Sequence, residues 1–392
     1  MKKILYIAPA ESVHFIRWYR YFIERGYEVY LLSEYEQNSK INDYLPDLRV
    51  YYLSSYKRKR GSFTKFVSNT MRLHKICREV KKIIDDIKPN LVHAHQIHPH
   101  GFWAALAGFH PFISTPIGSD AIIFSRKYWV YKKISEYVLS KADLITADSL
   151  LVKDACIERG MDENKFHLVQ NGLDQTRFNT DIDKKVLQKK YSISPTAPVI
   201  FFGRSFTPLY NVDKILQTIP LVLKQFPDSK FIFASHFGNL EAKLRKLATS
   251  LNVSNAVIFT GFIPHDEMPE YIASASINLS VPSSDNSPSS VYEAMACGVP
   301  SILSDLPWTK YAMRHLSNCF IIDSIAPKHI ADAIITLLGN AELREKIISN
   351  GIKTVKEYFD YSTNMMKMER LMLDLYERKY PLSRDIDYTK IS

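Results

Sequence analysis

No apolar run in this 392-residue chain approaches the ~20 residues that cross a bilayer as a helix. The opening Met1-Lys-Lys-Ile-Leu-Tyr-Ile-Ala-Pro9 has too short an apolar core for a signal peptide and reads as a first strand. Cysteine is scarce. Cys77, Cys156, Cys297 and Cys319 stand far apart, which argues against a zinc knuckle or a disulfide framework and makes a reducing cytoplasm the simplest home. Carboxylates clustered at a strand end, as a metal-dependent site would want, are also missing. The two Asp-x-Asp strings, Asp181-Ile-Asp183 and Asp385-Ile-Asp387, follow no buried strand and read as surface charge. No repeat of roughly 20–50 residues is present, which sets aside a solenoid. No nucleic-acid motif accompanies the positive charge, so nucleic acid is not an expected partner.

What is present is length and alternation. A chain of this size is too long for a single core, and two α/β domains of ordinary size fit it. Strand-like runs at Ile4–Ala8, Glu28–Ser33, Arg49–Leu53, Pro111–Pro116, Asp143–Ala147, Phe231–Ser235 and Ala275–Val281 alternate with helical patterns. The charge is uneven. Residues 1–185 carry 29 Lys and Arg against 21 Asp and Glu, while residues 186–392 carry 22 against 20. The excess sits in 57–88, with 11 basic residues against three acidic. It begins with Lys57-Arg-Lys-Arg60. Phe63, Phe66, Val67, Leu73, Ile76, Val80, Ile83, Ile84 and Ile87 interleave at helical spacing, so this is an amphipathic helix with a basic face. Two readings stay open: a solvated face packed on its own domain, or attraction to an anionic membrane surface at ~1 kcal/mol per basic residue.

The chain is organised around Ser283–Pro300, SSDNSPSSVYEAMACGVP. The Ala275–Val281 strand leads into a Ser/Asn/Pro loop. Ser289 and Ser290 then open a helix that Gly298 and Pro300 stop. A strand, a small-residue loop and a helix N-terminus make a phosphate site, because free N–H groups and the positive helix end point at the anion. Ser289, Ser290 and Val291 supply that end. Glu293, one turn in, can accept hydrogen bonds from a ribose diol. Asp285, eight residues earlier on the loop, can reach a sugar.

This stretch resembles the signature of the retaining nucleotide-sugar glycosyltransferases of family four. That family has the GT-B fold, α/β with two Rossmann-like doubly wound domains facing a central cleft. Its pattern has two acids eight apart, the second opening E-A-M-A-x-G-x-P. Glu293-Ala-Met-Ala-Cys-Gly-Val-Pro300 matches, and Asp285 stands where Glu is more usual. The resemblance implies a nucleotide-diphosphate sugar donor, with uridine the commonest base, no cofactor and no metal. The acceptor would be a saccharide or lipid-linked hydroxyl. Front-face attack, with the departing phosphate taking the acceptor proton, is the implied chemistry. A lipid-linked acceptor would place the enzyme in the cytoplasm, peripheral to the inner membrane face through Lys57–Arg60 and the basic helix.

The resemblance extends along the chain. It implies an acceptor-binding domain over 1–180, a linker over 181–197 and a donor domain over 198–358. A helix over 359–380 would return to the first domain, and 381–392 would be a tail. The first turn lacks the family's glycines. Ser12 and His14 stand there, resembling a subgroup with a His ahead of an Arg-Trp helix, and are acceptor-side candidates. Leu91-Val-His-Ala-His95 resembles the V-H-x-H loop whose second His lines the sugar pocket, making His95 the candidate. His98 and His100 follow, nearer the acceptor or merely exposed. Ile117-Gly-Ser-Asp120 resembles a G-S-D loop, where Asp120 either holds an acceptor hydroxyl or caps a helix. Asn171-Gly-Leu-Asp174 with Phe178 resembles the N-G-x-D-x-x-x-F that closes the first domain.

The second domain opens with Val199-Ile-Phe-Phe-Gly-Arg204. Arg204, at a strand's carboxyl end, can clamp a diphosphate with its planar fork. Family members follow with a Lys five positions on, where this chain has Leu209. Val257–Pro264 resembles the strand and turn that hold the base, with Phe262. The catalytic set is therefore expected to be His95, Asp285 and Arg204. Two alternatives stay open: a nucleotide-sugar 2-epimerase of the same fold, and a catalytically inactive membrane-docking subunit.

Overall fold

The computed structural model describes residues 3–10, 12–34, 45, 48–54, 70–235, 238, 240–264 and 266–377, without the side chains of 13, 14 and 70–72. The chain forms two compact units. Among the described residues, one comprises the chain up to Asn171 and from Thr363 on, and the other Gly172–Ser362.

The first unit holds seven parallel strands: β1 Lys3–Ile7, β2 Glu28–Ser33, β3 Arg49–Tyr52, β4 Leu91–His95, β5 Phe112–Thr115, β6 Leu144–Ala147 and β7 Phe166–Leu168. Their order across the sheet is β3-β2-β1-β4-β5-β6-β7. Strands covered on both faces read as continuous apolar runs, and β1 and β2 are of that kind. Ser12 caps the helix Val13–Glu24, its Oγ accepting the Phe15 N–H at 3.4 Å. The cap sets the helix start at Val13.

The basic helix is described as Thr70–Ile87. Lys57–Arg60, and the rest of 57–69, lie outside the described residues. In the described part Ile76, Val80, Ile83, Ile84 and Ile87 are buried, while Lys75, Arg78, Lys81 and Lys82 are exposed. The apolar stripe is thus committed to the unit's own core, and only the charged face meets solvent. From Thr363 on, the helix Tyr361–Tyr376 packs in this unit, burying Met365, Met368, Leu371, Met372 and Leu375. Its Glu369 takes the hydroxyls of Tyr21 and Tyr27 at 2.9 and 2.8 Å, and Arg25 at 2.8 Å.

The second unit holds six parallel strands: β8 Val199–Phe202, β9 Lys230–Ala234, β10 Val257–Gly261, β11 Ile277–Ser280, β12 Ser301–Ser304 and β13 Phe320–Ile322. Their order is β10-β9-β8-β11-β12-β13. The period-2 alternation of strand side chains splits the core in two. Val199 and Phe201 join the cluster on one face, Ile200 and Phe202 the cluster on the other. Residues 181–197 carry the short helix Val186–Lys190, and Leu187, Ile193 and Ala197 are buried in this unit's core.

Both sheets reverse direction once. In the first, the chain runs outward from β1 through β2 to β3, then returns to start again at β4. In the second, it runs from β8 to β10 and restarts at β11. Ligands of doubly wound sheets bind outside the carboxyl ends of the strands at such a reversal. Those ends carry Ala8 and His95 in one unit, and Arg204 and the Val281–Asp285 loop in the other.

Candidate functional site

In the second unit, the loops leaving β8 and β11 converge on one guanidinium. Arg204 donates from Nη2 to Asp285 Oδ2 at 2.7 Å and to the Tyr210 hydroxyl at 3.0 Å, and from Nη1 to Ser290 Oγ at 2.9 Å. Its Cζ lies 4.5 Å from the centre of the Tyr210 ring. The Arg204 and Asp285 side chains are 14 % and 15 % exposed, so solvent screens this pair weakly. A planar cation fixed by three acceptors and a ring is preorganised for a bidentate anion. The other Asp285 oxygen accepts the Asn286 N–H at 3.0 Å.

The two loops are stitched together by Asn211. Its Nδ2 donates to the Val281 carbonyl at 2.9 Å and the Ser283 Oγ at 3.0 Å, while the Ser283 N–H reaches the Leu209 carbonyl at 2.9 Å. Asn211 sits at φ 52°, a left-handed conformation that asparagine tolerates better than most residues. Tyr210 and Asn211 carry no motif and were missed as site residues. The only trace of them in the sequence is that they follow Leu209, the position where the resembled family has lysine.

The helix Ser289–Ala296 begins beside Arg204. Ser289 is exposed and Ser290 half-buried, so its open end faces outward. Val291 points into the core, its N–H on the Pro288 carbonyl at 3.0 Å. Glu293 is 7 % exposed on the same helix. The helix ends where Gly298 takes φ 72° and the Val299 N–H returns to the Ala294 carbonyl at 2.9 Å. Phe262 follows β10 at the sheet edge and is 61 % exposed. The Cys297 and Cys319 thiols are pushed up to about 12 by burial, which keeps them protonated and unsuited to nucleophilic work.

The carboxyl end of β4 in the first unit has a different chemistry. His95 is buried, with the rings of Trp18, Tyr6 and His93 at 5.1, 5.4 and 4.7 Å. It lines a pocket with Trp18, Thr115, Asp148 and Asn171. Asn171 joins the walls: its Oδ1 accepts the Trp18 indole N–H at 3.3 Å, and its Nδ2 donates to Asp148 at 3.0 Å. His93 lies 2.7 Å from Thr115 Oγ1, itself 2.6 Å from Thr146 Oγ1. Burial, with His95 beside it, holds His93 well below the usual imidazole range.

Gln96 turns the chain out of β4 at φ 74°, strained for a non-glycine residue. The strain is held by the Gln96 N–H on the Thr115 carbonyl at 2.9 Å and by Asp120. Asp120 is buried and accepts three backbone N–H groups, from Ile97 at 2.7 Å, Ile117 at 3.1 Å and Gly118 at 2.9 Å. It clasps the His loop to the Gly118 loop. His98 Nε2 lies 3.1 Å from both the Tyr131 carbonyl and Ser135 Oγ, and burial lowers its pKa. His100 is buried against Trp103 and 3.5 Å from Glu34. His14 lies in the first turn of its helix, its side chain outside the described set. The structure therefore gathers Arg204, Asp285 and Ser290 at one point, sets His95 in a pocket, and engages Ser12, His98 and Asp120 in local hydrogen bonds.

Among the described residues, no group of three or more His, Cys, Asp or Glu is arranged to hold a metal ion. Asp183, of the first Asp-x-Asp string, pairs with Lys189 at 3.0 Å on the surface. Asp385 and Asp387 lie outside the described residues.

Two doubly wound α/β units with seven and six parallel strands define a two-Rossmann-domain protein of the GT-B fold. The family model "Glycosyl transferase 4-like" matches residues 3–149, and "Glycosyl transferases group 1" matches residues 183–354. Glycosyltransferase family models thus match both halves of the chain, and its fold is that of the GT-B proteins. It is 28 % identical over 257 residues to a putative glycosyltransferase, YtcC, of Bacillus subtilis, a match covering 61 % of this chain and 62 % of that protein. The chain thus matches less than two thirds of that relative. It is 22 % identical over 298 residues to the N-acetyl-alpha-D-glucosaminyl L-malate synthase of Bacillus anthracis, covering 73 % and 75 %. The crystal structure of Anabaena Alr3699/HepE in complex with UDP and glucose superposes with a TM-score of 0.77 at 16 % identity, over 96 % of this chain and all of that one.

Proposed function

We propose that this enzyme moves a sugar from a nucleotide-diphosphate sugar, with UDP-sugar the first choice, to a hydroxyl of a saccharide or lipid-linked acceptor. The anomeric configuration is retained and no divalent metal takes part. The observation that carries this reading is the fixed Arg204 guanidinium at the reversal of the second sheet, beside the N-terminus of the helix Ser289–Ala296. A diphosphate leaving group gains charge as the glycosidic bond breaks, and a preorganised cation with a helix end stabilises that charge. Asp285 and the diphosphate compete for the same guanidinium edge. Once the diphosphate takes it, the Asp285 carboxylate is released to hold sugar hydroxyls. Glu293 is assigned the ribose. His95 is assigned the sugar-facing role that the family resemblance implies, orienting the oxocarbenium-like centre. The phosphate oxygen then takes the acceptor proton as the new bond forms on the same face. UDP is favoured because it is the nucleotide bound in the Anabaena protein of the same fold. A lipid-linked acceptor places the enzyme in the cytoplasm at the inner membrane face. The test is product formation from UDP-sugars in EDTA. Activity should persist. Full loss, restored by magnesium or manganese, would overturn the metal-free mechanism.

A further inference from the structure

Immediately after the Asp120 clasp, the first unit turns large apolar side chains to solvent. Ile123 is 53 % exposed, Phe124 42 %, Tyr128 40 % and Trp129 77 %. They are not scattered. The rings of Phe124 and Tyr128 lie 5.8 and 5.7 Å from that of Tyr131, which sits 4.6 Å from the His98 ring. Single exposed apolar residues are ordinary, but four large ones within seven residues, two of them with rings against Tyr131, mark an interaction surface. Its cations are Arg126, Lys127, Lys132 and Lys133, and the carboxylates facing them are Glu158 and Glu136. Arg126 meets Glu158 at 2.8 Å, Lys133 meets Glu136 at 2.7 Å and Lys132 meets Glu136 at 4.0 Å. The balance is four positive against two negative. Trp and Tyr with flanking Lys and Arg are the side chains that settle at a bilayer's head-group level.

We propose that Ile123, Phe124, Tyr128 and Trp129 form the apolar anchor by which this chain docks on an anionic phospholipid surface. The occupant is a lipid surface because the patch is rimmed by net positive charge and its tryptophan is largely in solvent. The basic helix Thr70–Ile87 cannot supply this element, since its apolar stripe is buried in the unit's core. Stable docking takes two signals, and charge alone gives only salt-sensitive attraction. The inference does not depend on the donor chemistry. It adds a contact that sits one turn beyond Asp120 and touches His98 through Tyr131.

The chain has four tryptophans. Trp18, Trp103 and Trp308 are buried, so intrinsic fluorescence on adding vesicles reports Trp129. With vesicles containing phosphatidylglycerol the emission should shift to the blue, and with pure phosphatidylcholine it should barely move. Trp129→Phe should lose the shift yet still sediment with the anionic vesicles. Ile123→Ser/Phe124→Ser/Trp129→Ser, checked by its melting curve for an unchanged fold, should bind those vesicles at least about tenfold more weakly. Equal sedimentation of the folded triple variant and parent would overturn the proposal. So would an unmoved emission in the parent. A blue shift that grows with protein concentration without lipid, together with a dimer mass in light scattering, would overturn it in favour of a second copy of the chain.

Discussion

The two sheets reverse direction in the same way and put opposite chemistry at the reversal. Outside β8 and β11 stands an ion pair, Arg204 with Asp285, set in hydroxyls beside a helix N-terminus. Outside β1 and β4 stand imidazoles and aromatic rings, with carboxylates turned to structural tasks such as the Asp120 clasp. Topology tells where a ligand binds, and the side chains tell what kind of group each end suits. A fixed guanidinium suits a diphosphate. A histidine packed among aromatic rings suits an uncharged group such as a sugar.

The comparison breaks most visibly at Arg204. Arg204→Ala should lower turnover by about 10²–10³-fold, the ~2.7–4 kcal/mol of one lost transition-state donor, with KM changed less. A turnover near the parent's would contradict the leaving-group role. Glu293→Gln is expected next. It should weaken nucleotide binding by ~1.5–3 kcal/mol, as for a hydrogen bond to a charged group, and unchanged affinity would remove the ribose assignment. Tyr210→Phe keeps the ring over Arg204 and removes one acceptor. The donor KM should rise by a few fold, about 0.5–1.5 kcal/mol, and no rise would mean that Asp285 and Ser290 suffice to set the guanidinium.

The smallest effect is a pH dependence confined to the first unit. Burial lowers His167 to about 4 and Lys367 to about 8. Both groups bind fewer protons folded than unfolded. For His167, the stability is therefore present above the unfolded value of ~6.5 and lost as pH falls toward about 4. For Lys367, stability rises from about pH 8 toward ~10.4. Melting temperatures at pH 7 and pH 5 should differ less in His167→Gln than in the parent. An equal drop in both would assign the acid sensitivity elsewhere.

The second sheet's site was the more legible of the two. Gly203-Arg204 at a strand end and the Ser283–Pro300 stretch are local patterns, and local patterns survive in one dimension. The pairing of Arg204 with Asp285 joins residues 81 positions apart, and the Asn211 stitch depends on a left-handed φ that no motif announces. Tyr210 was visible only as a neighbour of Leu209. In the first unit the His95 position was legible from the strand ahead of it. The roles of Asp148, Asn171 and Trp18 were not, because Asn171 meets Trp18 across 153 residues. Asp120 was legible as an acid in a loop. Whether it held an acceptor hydroxyl or capped a helix depended on the register between two loops, whose backbone N–H groups it takes.

The most direct test of the two-chemistry account is a calorimetric titration of UDP against the parent, Arg204→Ala and His95→Ala. The account predicts clear binding by the parent, binding weakened by at least tenfold in Arg204→Ala, about 1.4 kcal/mol, and near-parent affinity in His95→Ala. Equal affinity in the parent and Arg204→Ala, with the loss appearing in His95→Ala instead, would contradict it.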